Sequence, residues 1–364
     1  MKYLLITTTS RSVMNFRTNF IKHLKNKNSE VIVVSQDDDM KKEIEDLGVK
    51  FYCVNENNRS LNAFKMIGSI KNYKKIIKKE NPDVVLTYQL KPNIFGVIGA
   101  KKAKVKKIYP MVEGAGDVFI NNSFKWKIIR FIVCILYKHS FKYANKVFFL
   151  NNDDKAEFVD RKLLKEGQCF IINGIGVDTE KFAYKPLKNK NVFLMVARMI
   201  KTKGVIEYCE VARKVRKLYP DVKFNYLGAE GNIKISDIEE YIKDGSINYL
   251  GLTNDVRPHL EECTMLVLPS YYREGLPMSI MEAMSVGRGI ITTDNVGCRE
   301  TVEVGVNGVL INKENIVEEL YEKIIDLISQ KEIFEKFSLQ SRSLAENKFG
   351  EKRINETLIS IIER

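Results

Sequence analysis

The sequence predicts an α/β protein built from two domains, each a parallel sheet covered by helices on both faces. Three observations predict it. Short apolar runs alternate with helix-period segments through the first half. That alternation breaks at Asn173-Gly174-Ile175-Gly176-Val177-Asp178 and then restarts. At 364 residues, 45% of them hydrophobic, the chain is too long for one ordinary core.

The opening MKYLLITTTS carries one Lys and an apolar run too short for a signal segment, so it reads as a first buried strand. Strands are expected at 3–7, 31–35, 50–54, 84–87, 107–110 and 146–150, where apolar and β-branched residues cluster. Helices are expected between them at 16–26, 38–47, 62–80, 92–101, 125–143 and 153–166. The Gly, Asn and Asp cluster at 173–178, followed by Pro186 and a Lys/Asn stretch, marks the hinge. Beyond it, strands are expected at 192–197, 223–227, 247–249, 265–269, 289–293 and 308–310. Helices are expected at 205–218, 235–243, 256–262, 277–286, 299–304 and 314–330, with a helical tail over 331–364. The domains so defined are 1–180, joined by a last helix near 348–364, and 186–347. Open α/β sheets bind ligands at the carboxyl ends of their strands, so a cleft there is the expected site.

The formal charge is +13, and its location says more than its size. Residues 62–146 hold 18 Lys plus Arg against 4 Asp plus Glu, so this quarter carries the whole excess. Such a face attracts polyanions: nucleic acid, anionic lipid or a phosphate-bearing substrate. The segment 124–146 interleaves Phe124, Trp126, Ile128, Ile129, Phe131, Ile132, Ile135 and Leu136 with Lys125, Lys127, Arg130, Lys138 and Lys142. That pattern suits either an interfacial amphipathic helix or a core helix with a basic outer face. Its longest apolar stretch, 131–137, is far shorter than a membrane span. The six cysteines form no CxxC pair or metal spacing and read as reduced thiols.

The chemistry concentrates in the second half. Arg198 follows the apolar run of the 192–197 strand, and Lys203-Gly204 lies just beyond. Glu274-Gly275-Leu276-Pro277 opens a helix that carries Glu282 one turn in. A sugar diphosphate needs cations for its phosphates, open amides at a helix N-terminus and carboxylates for its hydroxyls, and these residues supply all three. Other signals are weaker. Asp37-Asp38-Asp39 contains a DxD string, but after a second strand it fits a helix cap better than a metal site. His23, His139 and His259 have no ligand spacing. Gly114-x-Gly116 lacks the third Gly and the strand-to-helix setting of a dinucleotide fingerprint.

Val196-Ala197-Arg198, Lys203-Gly204, Glu274-Gly275-Leu276-Pro277, Glu282-Ala283-Met284 and Gly297-Cys298-Arg299-Glu300 together resemble the donor site of family 4 retaining glycosyltransferases. The resemblance implies the GT-B fold, two Rossmann-like domains facing a cleft with a C-terminal helix crossing back to the first. It implies that Arg198 and Lys203 hold the donor diphosphate, that Glu274 contacts the transferred sugar and that Glu282 contacts the ribose. Arg198, Lys203 and Glu274 form the catalytic set. Gly275, Leu276, Pro277, Met278, Ser279, Thr253 and Asn254 complete the donor set.

Lys91-Pro92-Asn93-Ile94-Phe95-Gly96, Val112-Glu113-Gly114-Ala115-Gly116 and the run from Phe124 are similar to a narrower group. Its members are bacterial N-acetylgalactosaminyltransferases acting on undecaprenyl-diphospho-bacillosamine, with related capsule and O-antigen enzymes. That resemblance implies a UDP-linked donor, a polyprenyl-diphosphate saccharide acceptor, no cofactor, no metal and no nucleic acid. The acceptor side would use Arg17, Lys91, Asn93, Glu113, Gly114 and Arg299. The protein would sit in the cytoplasm, peripherally on the anionic inner face of the cell membrane. Two departures stand out. The loop Thr7-Thr8-Thr9-Ser10-Arg11-Ser12 lacks the Gly common after the family's first strand, and Glu113-Gly114-Ala115-Gly116 stands where many members have a His. Rival readings are a UDP-sugar 2-epimerase of the same fold, a basic nucleic-acid-binding protein and a non-catalytic membrane scaffold.

Overall fold

The computed structural model describes residues 1–54, 63–121, 123–188, 191–330 and 332–364. The chain forms two compact units, Met1–Ile175 with Arg353–Arg364, and Gly176–Lys352.

The first unit holds seven strands: β1 (Lys2–Ile6), β2 (Glu30–Ser35), β3 (Lys50–Cys53), β4 (Val84–Tyr88), β5 (Lys107–Val112), β6 (Val147–Phe149) and β7 (Cys169–Ile171). They pair in the order β3-β2-β1-β4-β5-β6-β7, all parallel. The second holds β8 (Val192–Val196), β9 (Lys223–Leu227), β10 (Asn248–Tyr249), β11 (Met265–Leu268), β12 (Gly289–Thr293) and β13 (Gly308–Ile311), also all parallel, in the order β10-β9-β8-β11-β12-β13. In each sheet the order reverses beside the first strand, at β1/β4 and at β8/β11. That is where doubly wound folds open a crevice at the strand ends. Central strands are buried along their length, VVLTY and MLVL for example, because helices cover both faces.

Local departures have local causes. The helix expected over 16–26 is two helices, Ser10–Phe16 and Thr18–Asn26, broken at Arg17 (φ −126°, ψ −6°). Asp37 does cap a helix, but not the one that follows it. Its Oδ1 accepts from the Ser10 amide at 2.9 Å and from the Ser10 hydroxyl, closing the N-terminus of the first helix. The helix expected over 92–101 starts as a π-turn, Pro92–Gly96, and continues as Val97–Lys102. A Cβ on Gly96 would lie 3.1 Å from Ile6 Cδ1 and 3.2 Å from Thr87 Cγ2, so the glycine lets this turn sit directly on the sheet. The helix expected over 153–166 ends at Asp160, and β7 beyond it was not anticipated. Only a 3₁₀ turn, Arg299–Thr301, forms in the region 299–304. Asn62 and Lys331, at the ends of expected helices, lie outside the described residues. The last helix, Glu351–Glu363, packs on the first sheet. Lys107 Nζ donates to the Ile362 carbonyl at 2.7 Å, and the Tyr3 hydroxyl to Glu363 Oε1 at 3.3 Å.

Candidate active site

Arg198, Lys203 and Glu274 follow the C-terminal ends of the neighbouring strands β8 and β11. Arg198 follows β8, is exposed, and its guanidinium has no carboxylate partner among the described residues. The chain then makes a 3₁₀ turn, Lys201–Lys203, and enters the helix Val205–Leu218 through Gly204 (φ +78°). A Cβ there would fall 2.3 Å from the Pro269 carbonyl oxygen, so only glycine lets the turn lie against the end of β11. This packing brings Lys203 to Glu274, and the two form an ion pair. Ser270 Oγ donates to the same carboxylate oxygen at 2.9 Å, and the Tyr272 ring lies 5.7 Å from Lys203 Nζ. Glu274 is 9% exposed, so its charge is matched by these partners rather than by water.

The Glu274 loop is held from below. Its amide donates to the Val296 carbonyl at 3.2 Å, and Asn295 Nδ2 donates to the Tyr272 carbonyl at 2.7 Å. Gly297 (φ +79°) lies so close that a Cβ would meet the Glu274 carbonyl oxygen at 2.4 Å. Burial pushes the neighbouring Cys298 thiol up to about 12, which makes it an inert packing group. Gly275, Leu276 and Pro277 then lead into the helix Met278–Val286. Ile280 and Met281 donate back to the Pro277 carbonyl, so the Met278 and Ser279 amides have no intrahelical partner. No acidic side chain occupies this first turn, which leaves the positive end of the dipole unopposed.

Glu282 lies on the same helix. Burial pushes its carboxyl up to about 7, opposed by Lys181. A folded-state value raised above the ordinary 4.5 means that the native protein holds this proton more tightly than the unfolded chain. The resulting stability is present at acidic pH and is lost as pH rises through about 7. Glu282→Gln should therefore unfold several degrees higher than the parent near pH ~8.5 and alike near pH ~4. Equal shifts at both pH values in a thermal melt would refute the buried-charge account. Thr253 and Asn254 lie in the loop after β10, where Thr253 Oγ1 accepts from the Asp255 amide at 3.1 Å. A bidentate Arg257 pair holds the Asp255 carboxyl down to about 2.

The acceptor-type residues divide. Arg17 and Glu113 form an ion pair at the ends of β1 and β5. The Arg17 guanidinium stacks 4.1 Å above the Tyr88 ring and is almost wholly buried. Gly114 (φ +140°) follows Glu113, and Lys91 begins the π-turn. Asn93, expected on the acceptor side, is fully buried instead. Its Oδ1 accepts from Thr87 Oγ1 at 2.7 Å and its Nδ2 donates to the Met111 carbonyl at 2.7 Å, which ties β4 to β5. Arg299 belongs to the second unit, 3.0 Å from Asp294 Oδ1. Ser270, Tyr272 and Tyr88 were missed from sequence. The Tyr271-Tyr272 tandem just before Glu274 was the available signal for the first two.

The helix Phe124–Phe141 buries Val133, Tyr137, Ser140 and Phe141. Its other face exposes Phe124 (79%), Ile128, Phe131 (67%), Ile132 and Ile135, at helical spacing, beside exposed Lys125, Lys127 and Lys138. Both apolar faces of this helix are real, and only one is core. No helix among the described residues is long and apolar enough to cross a membrane.

Residues 190–330 match the family model of glycosyl transferases group 1, and residues 2–151 that of glycosyl transferase 4-like proteins. The chain is 32% identical over 339 residues to the N,N'-diacetylbacillosaminyl-diphospho-undecaprenol alpha-1,3-N-acetylgalactosaminyltransferase of Campylobacter jejuni, covering 88% of each. It is 29% identical over 279 residues to the UDP-Gal:alpha-D-GlcNAc-diphosphoundecaprenol alpha-1,3-galactosyltransferase of Escherichia coli, covering 71% of this chain and 70% of that one. Anabaena HepE, solved with UDP and glucose, has the same GT-B fold at TM-score 0.81 and 15% identity, covering 100% of this chain and 99% of that one. A Rickettsia africae glycosyltransferase matches at TM-score 0.80 and 20% identity over 100% of this chain and 98% of that one. With two such models in tandem and a relative this similar along nearly its whole length, the chain belongs to the group 1 glycosyltransferases.

Proposed function

We propose that this enzyme transfers an N-acetylhexosamine, N-acetylgalactosamine foremost, from a UDP-sugar to a polyprenyl-diphosphate-linked saccharide, with retention and without a metal. The observation that carries the donor half is the Lys203–Glu274–Ser270 cluster, with Arg198 exposed after β8 and the open amides of Met278 and Ser279. Arg198 and Lys203 stabilise the charge that grows on the leaving diphosphate, the work a metal ion does elsewhere. Glu274 holds the sugar hydroxyls and Glu282 the ribose. The acceptor hydroxyl attacks from the leaving-group side, and a donor phosphate oxygen takes its proton. The acceptor half draws support from the names of the Campylobacter and Escherichia relatives, both undecaprenyl-diphosphate-sugar transferases.

The membrane surface enters for the same reason, since a polyprenyl acceptor resides in the bilayer. The Phe124–Phe141 helix would lay its exposed apolar face in the interface and its lysines on anionic headgroups, at roughly 1 kcal/mol per cation. Lys107 and Arg130 contribute less than their charge suggests. Lys107 binds the Ile362 carbonyl, and Arg130 Nε donates to the Val118 carbonyl at 2.7 Å. A 2-epimerase would need neither this face nor an acceptor, and a nucleic-acid binder would not need the Glu274 and Glu282 pair.

The test is transfer in EDTA from UDP-N-acetylgalactosamine to a prenyl-diphosphate saccharide, free or in anionic vesicles. Product with a retained α-linkage is expected. Lys125, Lys127 and Lys138→Glu should release the protein from vesicles and impair the long-chain acceptor more than a soluble short-chain one. Activity that requires added Mg²⁺ or Mn²⁺, epimerised UDP-sugar as the only product, or equal binding to neutral and anionic vesicles would each refute the corresponding part.

A further inference from the structure

The ends of β1, β4 and β5 carry a second charged cluster, at the point where the order of the first sheet reverses. Arg17 lies at the break between two helices after β1, Tyr88 ends β4, and Glu113 follows β5. The three side chains form a stack. The Tyr88 ring is buried at the bottom, the Arg17 guanidinium lies 4.1 Å above it, and Glu113 pairs with Arg17 Nη2 through Oε1. Met111 Sδ, 3.4 Å from the same Nη2, closes one side. Exposure rises through the stack: 8% of the Arg17 side chain is accessible and 20% of the Glu113 side chain. The only partner of the Glu113 carboxylate among the described residues is Arg17. The loop that presents it runs through Gly114 (φ +140°) and Gly116 (φ +72°), conformations that favour glycine.

A carboxylate held at one oxygen and partly accessible at the strand ends beside the switch point accepts hydrogen bonds from neutral hydroxyls and repels phosphates. A guanidinium buried between a ring and a carboxylate has little surface left for a ligand. We propose that Glu113 is the residue of the first unit that binds the acceptor, accepting from a hydroxyl of its saccharide. Arg17 is then a positioning residue, mounted on Tyr88, that never touches the acceptor. This rests on the reading above that the acceptor is a saccharide, and it divides roles that the sequence left undivided between Arg17 and Glu113.

The test uses the full chain, UDP-N-acetylgalactosamine and a synthetic farnesyl-diphosphate-linked N-acetylhexosamine. Glu113→Gln keeps an acceptor oxygen but loses its charge, and is expected to lower kcat/KM for the acceptor at least ~10-fold with UDP binding unchanged. Arg17→Lys keeps the charge but loses the guanidinium above the Tyr88 ring, and should lower the same parameter by a smaller factor. In a Glu113→Gln background, Arg17→Lys should add less than about twofold, because it acts through Glu113. Wild-type acceptor kinetics in Glu113→Gln would overturn the proposal. So would an Arg17→Lys effect as large in the double variant as alone, since Arg17 would then meet the acceptor itself. Calorimetric UDP binding on the same samples reports on the donor reading alone, so the two fail separately. Thermal unfolding of each variant separates loss of fold from loss of contact.

Discussion

Replacing Lys203 with alanine is expected to lower turnover about a hundredfold, and Arg198→Ala should do the same. On the proposed mechanism each removes a charge-assisted donor to the leaving diphosphate, a loss of about 3 kcal/mol. The two variants should differ in stability. Arg198 is exposed and meets no carboxylate among the described residues, so its loss should leave the melting temperature unchanged. Lys203 neutralises Glu274, which is 9% exposed, and its loss leaves that carboxylate buried with Ser270 as a partner. Lys203→Ala should therefore also unfold at a lower temperature, whereas Lys203→Ala combined with Glu274→Gln should recover stability but not activity. Steady-state transfer assays and thermal melts on the four proteins check this. Near-parental turnover in both single variants would end the donor-site assignment.

Gly204→Val should strongly destabilise the second unit. The residue sits at φ +78°, which strains any β-branched side chain, and its Cβ would lie 2.3 Å from the Pro269 carbonyl oxygen. That neighbour is backbone at the end of a buried strand and cannot rotate away. Strain and overpacking together should cost about 3–5 kcal/mol, a fall in melting temperature on the order of 10 °C. UDP binding should fall with it, because the same contact sets Lys203 against Glu274. A melting temperature within a degree or two of the parent, with UDP affinity intact, would show that the turn is not fixed by this packing.

The alternation of strands and helices, the break near Gly174 and the helix start after Glu274-Gly275-Leu276-Pro277 were all legible in the sequence, whereas the ion pair of Lys203 with Glu274 was not. The first three are local facts. Strand and helix periods are written in neighbouring residues, and so is a helix start after a Gly-Leu-Pro turn. The structure decided what depends on residues far apart. Asp37 caps the helix at Ser10, 27 residues upstream, although its own neighbourhood suggested the following one. Asn93 looked like an acceptor contact in its motif, yet it is used up between Thr87 and Met111. Arg17 and Glu113, 96 residues apart, meet only because β1, β4 and β5 are neighbours in the sheet. The basic segment from Phe124 shows most plainly why composition stops short. Its apolar residues run around much of the helix, and periodicity cannot say which side is core. Packing answers that by burying Val133 and Tyr137 and leaving Phe124, Phe131 and Ile135 exposed. A side chain's burial is a property of what the rest of the chain places against it, and one segment's sequence does not contain that information.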